Sequence, residues 1–156
     1  MLFIVRIATT VFLLTFSLFS AAITTEKEQD IKQLMSLIEI YKMPDSTVEI
    51  MSIGVINFEK KANPNISENT EREILGIIKS VVSEKTPELF KNVSSMIDSN
   101  YNHSEIKKLI VAVPSSIGGN DNALKRLATD IVPILKKWSR GVGVVIAKRV
   151  EKKISK

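Results

Sequence analysis

Residues 101–119 read YNHSEIKKLIVAVPSSIGG, and the reading of this stretch sets the fold class. Asn102 is followed three residues later by Glu105, the pattern of a capping box at a helix start. Ile106, Leu109, Ile110 and Val113 then recur at spacings of three and four, which puts them on one face of a helix. Pro114 closes that face and discourages further helix. Gly118 and Gly119 can take the positive φ angles of a tight corner, and Asn120 or Asp121 is placed to cap a following helix. The stretch therefore reads as a corner between two helices rather than the wall of a site.

The same grammar extends in both directions. Upstream, Thr25 with Glu28 forms a capping box, and Ile31, Leu34, Met35, Ile38 and Tyr41 make one apolar face. Pro44-Asp45 ends that helix. Ser46 with Glu49 opens a second, with Ile50, Ile53 and Ile56 expected on its buried side, joined by Met51 and Phe58. Asn63-Pro64-Asn65 is a loop. A third helix is expected over about 67–84, faced by Ile74, Ile77, Ile78, Val81 and Val82. Pro87 suits the first turn of a fourth, where a missing N–H costs little. Leu89, Phe90, Val93, Met96, Ile97 and Tyr101 form its stripe.

Downstream, Leu124, Leu127, Ile131, Leu135, Trp138, Val142 and Val145 keep the helical alternation, and Ile146, Val150 and Ile154 continue it with a small shift. Pro133 interrupts this run, and Gly141 and Gly143 soften it, so a bent helix or two helices joined near Pro133 are expected. Nothing reads as a hairpin. The expectation is an all-α, single-domain bundle of about six helices with a long, kinked C-terminal helix.

The bulk composition agrees. With 156 residues, 44% hydrophobic and 25% charged, the chain is long enough for one packed domain. There is no cysteine, which removes thiol nucleophiles, disulfides and thiolate metal sites. His103 is the single histidine, so a multi-histidine zinc site is excluded and no cofactor is expected.

Residues 1–22 stand apart from the fold. Arg6, an apolar core from Ile7 to Phe19, and Ser20 with Ala22 at the exit give the order of a secretory signal peptide, with cleavage expected after Ala22. The alternative is an uncleaved membrane anchor over residues 2–23. The remainder, residues 23–156, is the helical domain, expected in the periplasm or outside the cell.

Charge is unevenly spread. Residues 136–156 hold eight Lys or Arg against Glu151 alone, whereas residues 23–135 sum to −3. Lys137, Arg140, Lys148, Arg149, Lys152 and Lys153 are the candidate contacts for an acidic protein or an anionic membrane surface, because a basic amphipathic helix lies readily on such a surface. No aromatic platform accompanies them, so nucleic acid is not expected.

Tyr101, the helix start Ser104-Glu105-Ile106, Leu109-Ile110, Ser115 and Gly118, with Trp138 and Gly141 further on, resemble the hallmark of a bacterial exported helical family. That family is catalogued as a domain of unknown function (number twenty fifty-nine). The resemblance covers roughly residues 30–152, and Ala112-Val113, Ser116 and Gly119 stand where the family usually has Phe-Tyr, Pro and Gln. It implies an all-helical periplasmic or secreted domain and carries no established activity.

Catalysis meets a geometric obstacle. His103, Ser104 and Glu105 are consecutive, and consecutive helical residues point in different directions, so they cannot converge as base, nucleophile and orienting acid. Gly118-Gly119 precede a helix start where a small anion could sit, but no phosphate-loop lysine follows. Acidic pairs such as Glu68/Glu71 are ordinary helix starts. The expected role is a non-enzymatic interaction or envelope-associated module. A lipid or small apolar ligand carrier and a small hydrolase-like enzyme are the alternatives.

Overall fold

The structure, a computed structural model, describes residues 25–115 and 122–154. Among them are five α-helices and one 3-10 turn, with no strand. Helix α1 covers residues 25–37, followed by the 3-10 turn Ile40–Lys42. Helix α2 is Met43–Ala62, α3 is Glu68–Asn100, α4 is His103–Ser115 and α5 is Asn122–Ile154. The leader at 1–22, the Gly118-Gly119 corner and the Asn120 or Asp121 cap lie outside the described residues.

Helix α1 buries Ile31, Leu34 and Met35, as its spacing requires. It ends where Glu39 takes a left-handed conformation, φ 60° and ψ 23°, which turns the chain into the 3-10 segment and brings Ile40 into the core. A non-glycine residue in that region costs about 1 kcal/mol or more, and Lys42, whose Nζ lies 2.6 Å from Glu39 Oε1, holds the turn from outside. The expected boundary at Pro44-Asp45 moves as a result. Helix α2 starts at Met43 with Pro44 in its first turn, where the absent N–H has no intrahelical partner to lose.

Helix α3 corrects the helix count. Its start at Ser67 is as expected, with the Ser67 hydroxyl accepting from the Thr70 N–H at 3.2 Å. The third and fourth helices expected on either side of Pro87 are one continuous helix of 33 residues, so five helices replace the six expected. The energetics explain why. An interior proline costs about 3 kcal/mol. Fully burying one large apolar side chain gains roughly 1.5–3 kcal/mol. Ile74, Ile78 and Val81 before Pro87 and Leu89, Val93 and Ile97 after it are all at 0% exposure, so one unbroken face outweighs one missing bond. Beside the proline, the Trp138 indole N–H of α5 donates to the Lys85 carbonyl at 2.8 Å.

Helices α2 and α5 both pack along α3, and α4 packs on α5. Helix α5 buries Leu127, Ile131, Trp138, Val142, Ile146 and Val150, and runs continuously past Pro133. The capping box at the start of α4 is reciprocal. The Glu105 N–H donates to Asn102 Oδ1 at 3.0 Å, and the Asn102 N–H donates to Glu105 Oε2 at 2.7 Å. Pro114 and Ser115 are still helical, in the last turn of α4.

Tyr101 locks the corner between α3 and α4. It is 3% exposed, and its hydroxyl donates to Asp130 Oδ2 of α5 at 2.8 Å. The Arg126 guanidinium stacks 4.7 Å from the ring centre, donates to the Asn100 carbonyl at 2.9 Å and lies 3.5 Å from Glu105 Oε1. Burial, reinforced by Asp130, pushes the Tyr101 phenol up from 10.0 to about 12. The fold thus favours the protonated phenol. Its contribution is fully present below pH 10 and is lost as pH rises through 12. Tyr101→Phe is expected to lower the unfolding free energy by about 1–2 kcal/mol at neutral pH. The variant is also expected to lack the extra alkaline loss between pH 10 and 12, as urea melts at neutral and alkaline pH would show.

Candidate interaction surface on α2 and α5

The six basic residues singled out on α5 divide into two sets. Arg149 forms a two-pronged contact with Glu84 of α3, Nη1 to Oε1 and Nη2 to Oε2, both at 2.8 Å. Ser80 adds a hydroxyl donor to the same carboxylate at 2.9 Å. The Arg149 hydrogen bonds first, and Ser80 second, hold the Glu84 carboxyl down from 4.5 to about 2. This pairing operates fully above pH 4.5 and fades only as pH falls towards 2. Lys153 reaches Glu73 of α3 at 3.0 Å. Arg149 and Lys153 therefore fasten α5 to its own bundle.

Lys137, Arg140, Lys148 and Lys152 behave differently. They follow a three-four spacing, with Val144 filling the gap, on the side of α5 turned away from buried Trp138, Val142, Ile146 and Val150. All four are exposed, and Val144 is 50% exposed in their midst. Among the described residues none of the four has a carboxylate partner within ion-pairing distance.

Helix α2 shows the larger departure from expectation. Ile50 and Ile53 were expected to face inward, but they are 68% and 59% exposed, and Phe58 is 68% exposed. The face that packs on the core is instead Val48, Met51, Val55 and Ile56, with Thr47 the buried polar residue among those described. Met51 and Ile56 pack inward as expected, but the inward spacing 48, 51, 55 is no more regular than the exposed pair 50, 53, so spacing alone does not choose between them. The bulkier isoleucines misdirect the choice. Two glycines that would have given a hint are Gly54, beside the exposed set, and Gly143, where an added Cβ would sit 3.7 Å from Met51 Cε.

The inversion leaves an apolar groove of ≈ 650 Å³ between α2 and α5. Its floor is made by Met51, Val55, Ile146 and Val150, which belong to the core cluster or pack against it. Exposed Ile50, Phe58 and Ile154 form its sides, while Glu59 and Glu151 add carboxylates to its lining. Gly54, Gly143 and Ala147 keep it clear of bulk.

His103 meets a partner that its sequence neighbours did not suggest. Its Nε2 lies 2.7 Å from Asp30 Oδ2 of α1, 73 residues away. Glu105 is occupied by Asn102 and Arg126, and the Ser115 hydroxyl donates back to the Val111 carbonyl at 3.0 Å. The structure does not bring His103, Ser104, Glu105 and Ser115 together as a reacting set. Among the described residues no group of three or more acidic or histidine side chains is arranged to hold a metal ion, and no helix is long and apolar enough to cross a membrane. No family model, curated protein or solved structure matches the chain.

The orientation of α2 is open to direct test. Ile50→Ser and Ile53→Ser are each expected to change the unfolding free energy by less than about 0.5 kcal/mol, because neither side chain is buried. Ile78→Ala on α3 is expected to cost about 2–5 kcal/mol. Chemical denaturation of the three variants checks both.

Proposed function

We propose that this chain is an exported, non-enzymatic interaction module that works at the cell envelope and rests against an anionic membrane surface through the outer face of α5. The observation that carries the reading is the stripe of Lys137, Arg140, Lys148 and Lys152, exposed and without ion-pair partners among the described residues, next to exposed Val144. Each lysine or arginine near an anionic surface is worth about 1 kcal/mol, so four acting together give on the order of 4 kcal/mol.

Export rests on the leader pattern at residues 1–22, and the resemblance to the exported family points the same way. Pro133 lacks the N–H that would bond to the Thr129 carbonyl, yet α5 continues through it, so the Lys137–Lys152 segment is presented on one unbroken helix.

Sedimentation with vesicles tests the proposal. The chain is expected to pellet with phosphatidylglycerol-containing vesicles at low salt, to be released at high salt, and to ignore purely zwitterionic vesicles. The double change Lys148→Glu and Lys152→Glu is expected to weaken binding by about tenfold or more, while the urea midpoint stays near that of the parent. Failure to pellet at low salt would remove the membrane reading.

A further inference from the structure

We propose that the groove between α2 and α5 is a docking site for an amphipathic helix of a partner protein, one that carries lysine or arginine at one end of its apolar stripe. The proposal does not depend on the membrane reading, because it uses a different set of residues.

The form of the groove selects a helix. Helices α2 and α5 both run antiparallel to α3. On one side Lys60 pairs with Glu71 while Pro44 and Pro87 line one shared depression; on the other Tyr101 meets Asp130 while Glu73 meets Lys153. The two walls are therefore parallel helices whose backbone N–H and C=O groups are already bonded within each helix. An extended peptide would find no ladder of backbone partners there, whereas a helix brings its own bonds and needs only side-chain contact. Gly54 and Ala147 let a third helix approach to ordinary packing distance, about 8–10 Å between axes. An added Cβ at Gly54 would meet nothing within 4 Å, so the space above it is open.

Charge selects the kind of helix. Glu59 and Glu151 line the groove, and neither has an ion-pair partner among the described residues. The cations next to them in sequence are engaged elsewhere or turned away. Lys60 pairs with Glu71 at 2.9 Å, Lys153 pairs with Glu73, and Lys152 belongs to the outer stripe. Two carboxylates beside an apolar surface disfavour a purely hydrocarbon occupant and reward one whose apolar stripe ends in positive charge. Exposed Phe58 and Ile50 are the aromatic and branched contacts such a helix would cover.

The test uses the full chain and two synthetic leucine-rich amphipathic helical peptides that differ only in a terminal pair of lysines or of glutamates. Fluorescence anisotropy is expected to show the lysine peptide binding about tenfold more tightly. The double change Glu59→Lys and Glu151→Lys is expected to reverse that preference. Gly54→Leu, which fills open space, is expected to abolish binding of both peptides while leaving the circular dichroism and urea midpoint unchanged. Lys148→Glu with Lys152→Glu, which tests the membrane face, is expected to leave the preference for the lysine peptide in place. Equal binding of the two peptides would overturn the proposal, as would binding that survives Gly54→Leu. Two other results would also overturn it. Capture of a fluorescent fatty acid that Gly54→Leu blocks, with neither peptide binding, would make the groove a small-ligand site. Self-association that Gly54→Leu abolishes would make it an interface between copies of this chain.

Discussion

The bundle depends on one helix burying the same face on both sides of a proline. Ile74, Ile78 and Val81 precede Pro87, Leu89, Val93 and Ile97 follow it, and all six are closed to solvent. Had α3 broken at Pro87, its two halves would have diverged and one set would have lost its partners on α5. The indole of Trp138 meets α3 beside this point, through the Lys85 carbonyl. With α3 continuous, α2 and α5 can lie side by side along it in the same direction. Their separation, and hence the groove between them, follows from that shared support, with Met51 of α2 reaching towards Gly143 of α5 at the floor.

How much of this was legible in the sequence depended on whether the deciding interaction was local. Asn102 with Glu105 is a contact across three residues, and the reciprocal cap was readable because both partners sit in one turn. The inward faces of α3, α4 and α5 were readable because each has one dominant apolar stripe. Helix α2 has two stripes of equal period, and only its neighbours decide which is covered. The continuity of α3 at Pro87 is likewise set from outside, by burial against another helix. His103 finding Asp30 at 73 residues' remove is a third case. Nothing near either residue signals the other.

The candidate surface was half legible for the same reason. The basic character of residues 136–156 is plain from composition, and the outer stripe is a matter of helical spacing. Which cations remain available is not, because that depends on acids of α3. Arg149 and Lys148 are adjacent, yet they face different ways, one onto Glu84 and the other into solvent. A count of positive charge therefore overstates what the helix can offer a partner.

This division of charge also explains how one helix can serve two surfaces. The buried stripe of Trp138, Val142, Ile146 and Val150 sets the rotation of α5 about its own axis relative to α3, and the exposed Arg149–Glu84 and Lys153–Glu73 pairs agree with it. That rotation fixes the remaining faces together. If Arg149 and Lys153 point to α3, then Lys148 and Lys152 must point outward, and Gly143, Ala147 and Glu151 must turn towards α2. The cationic stripe and the acidic, apolar groove are thus two consequences of one helix rotation, and a change that altered that rotation would be felt at both.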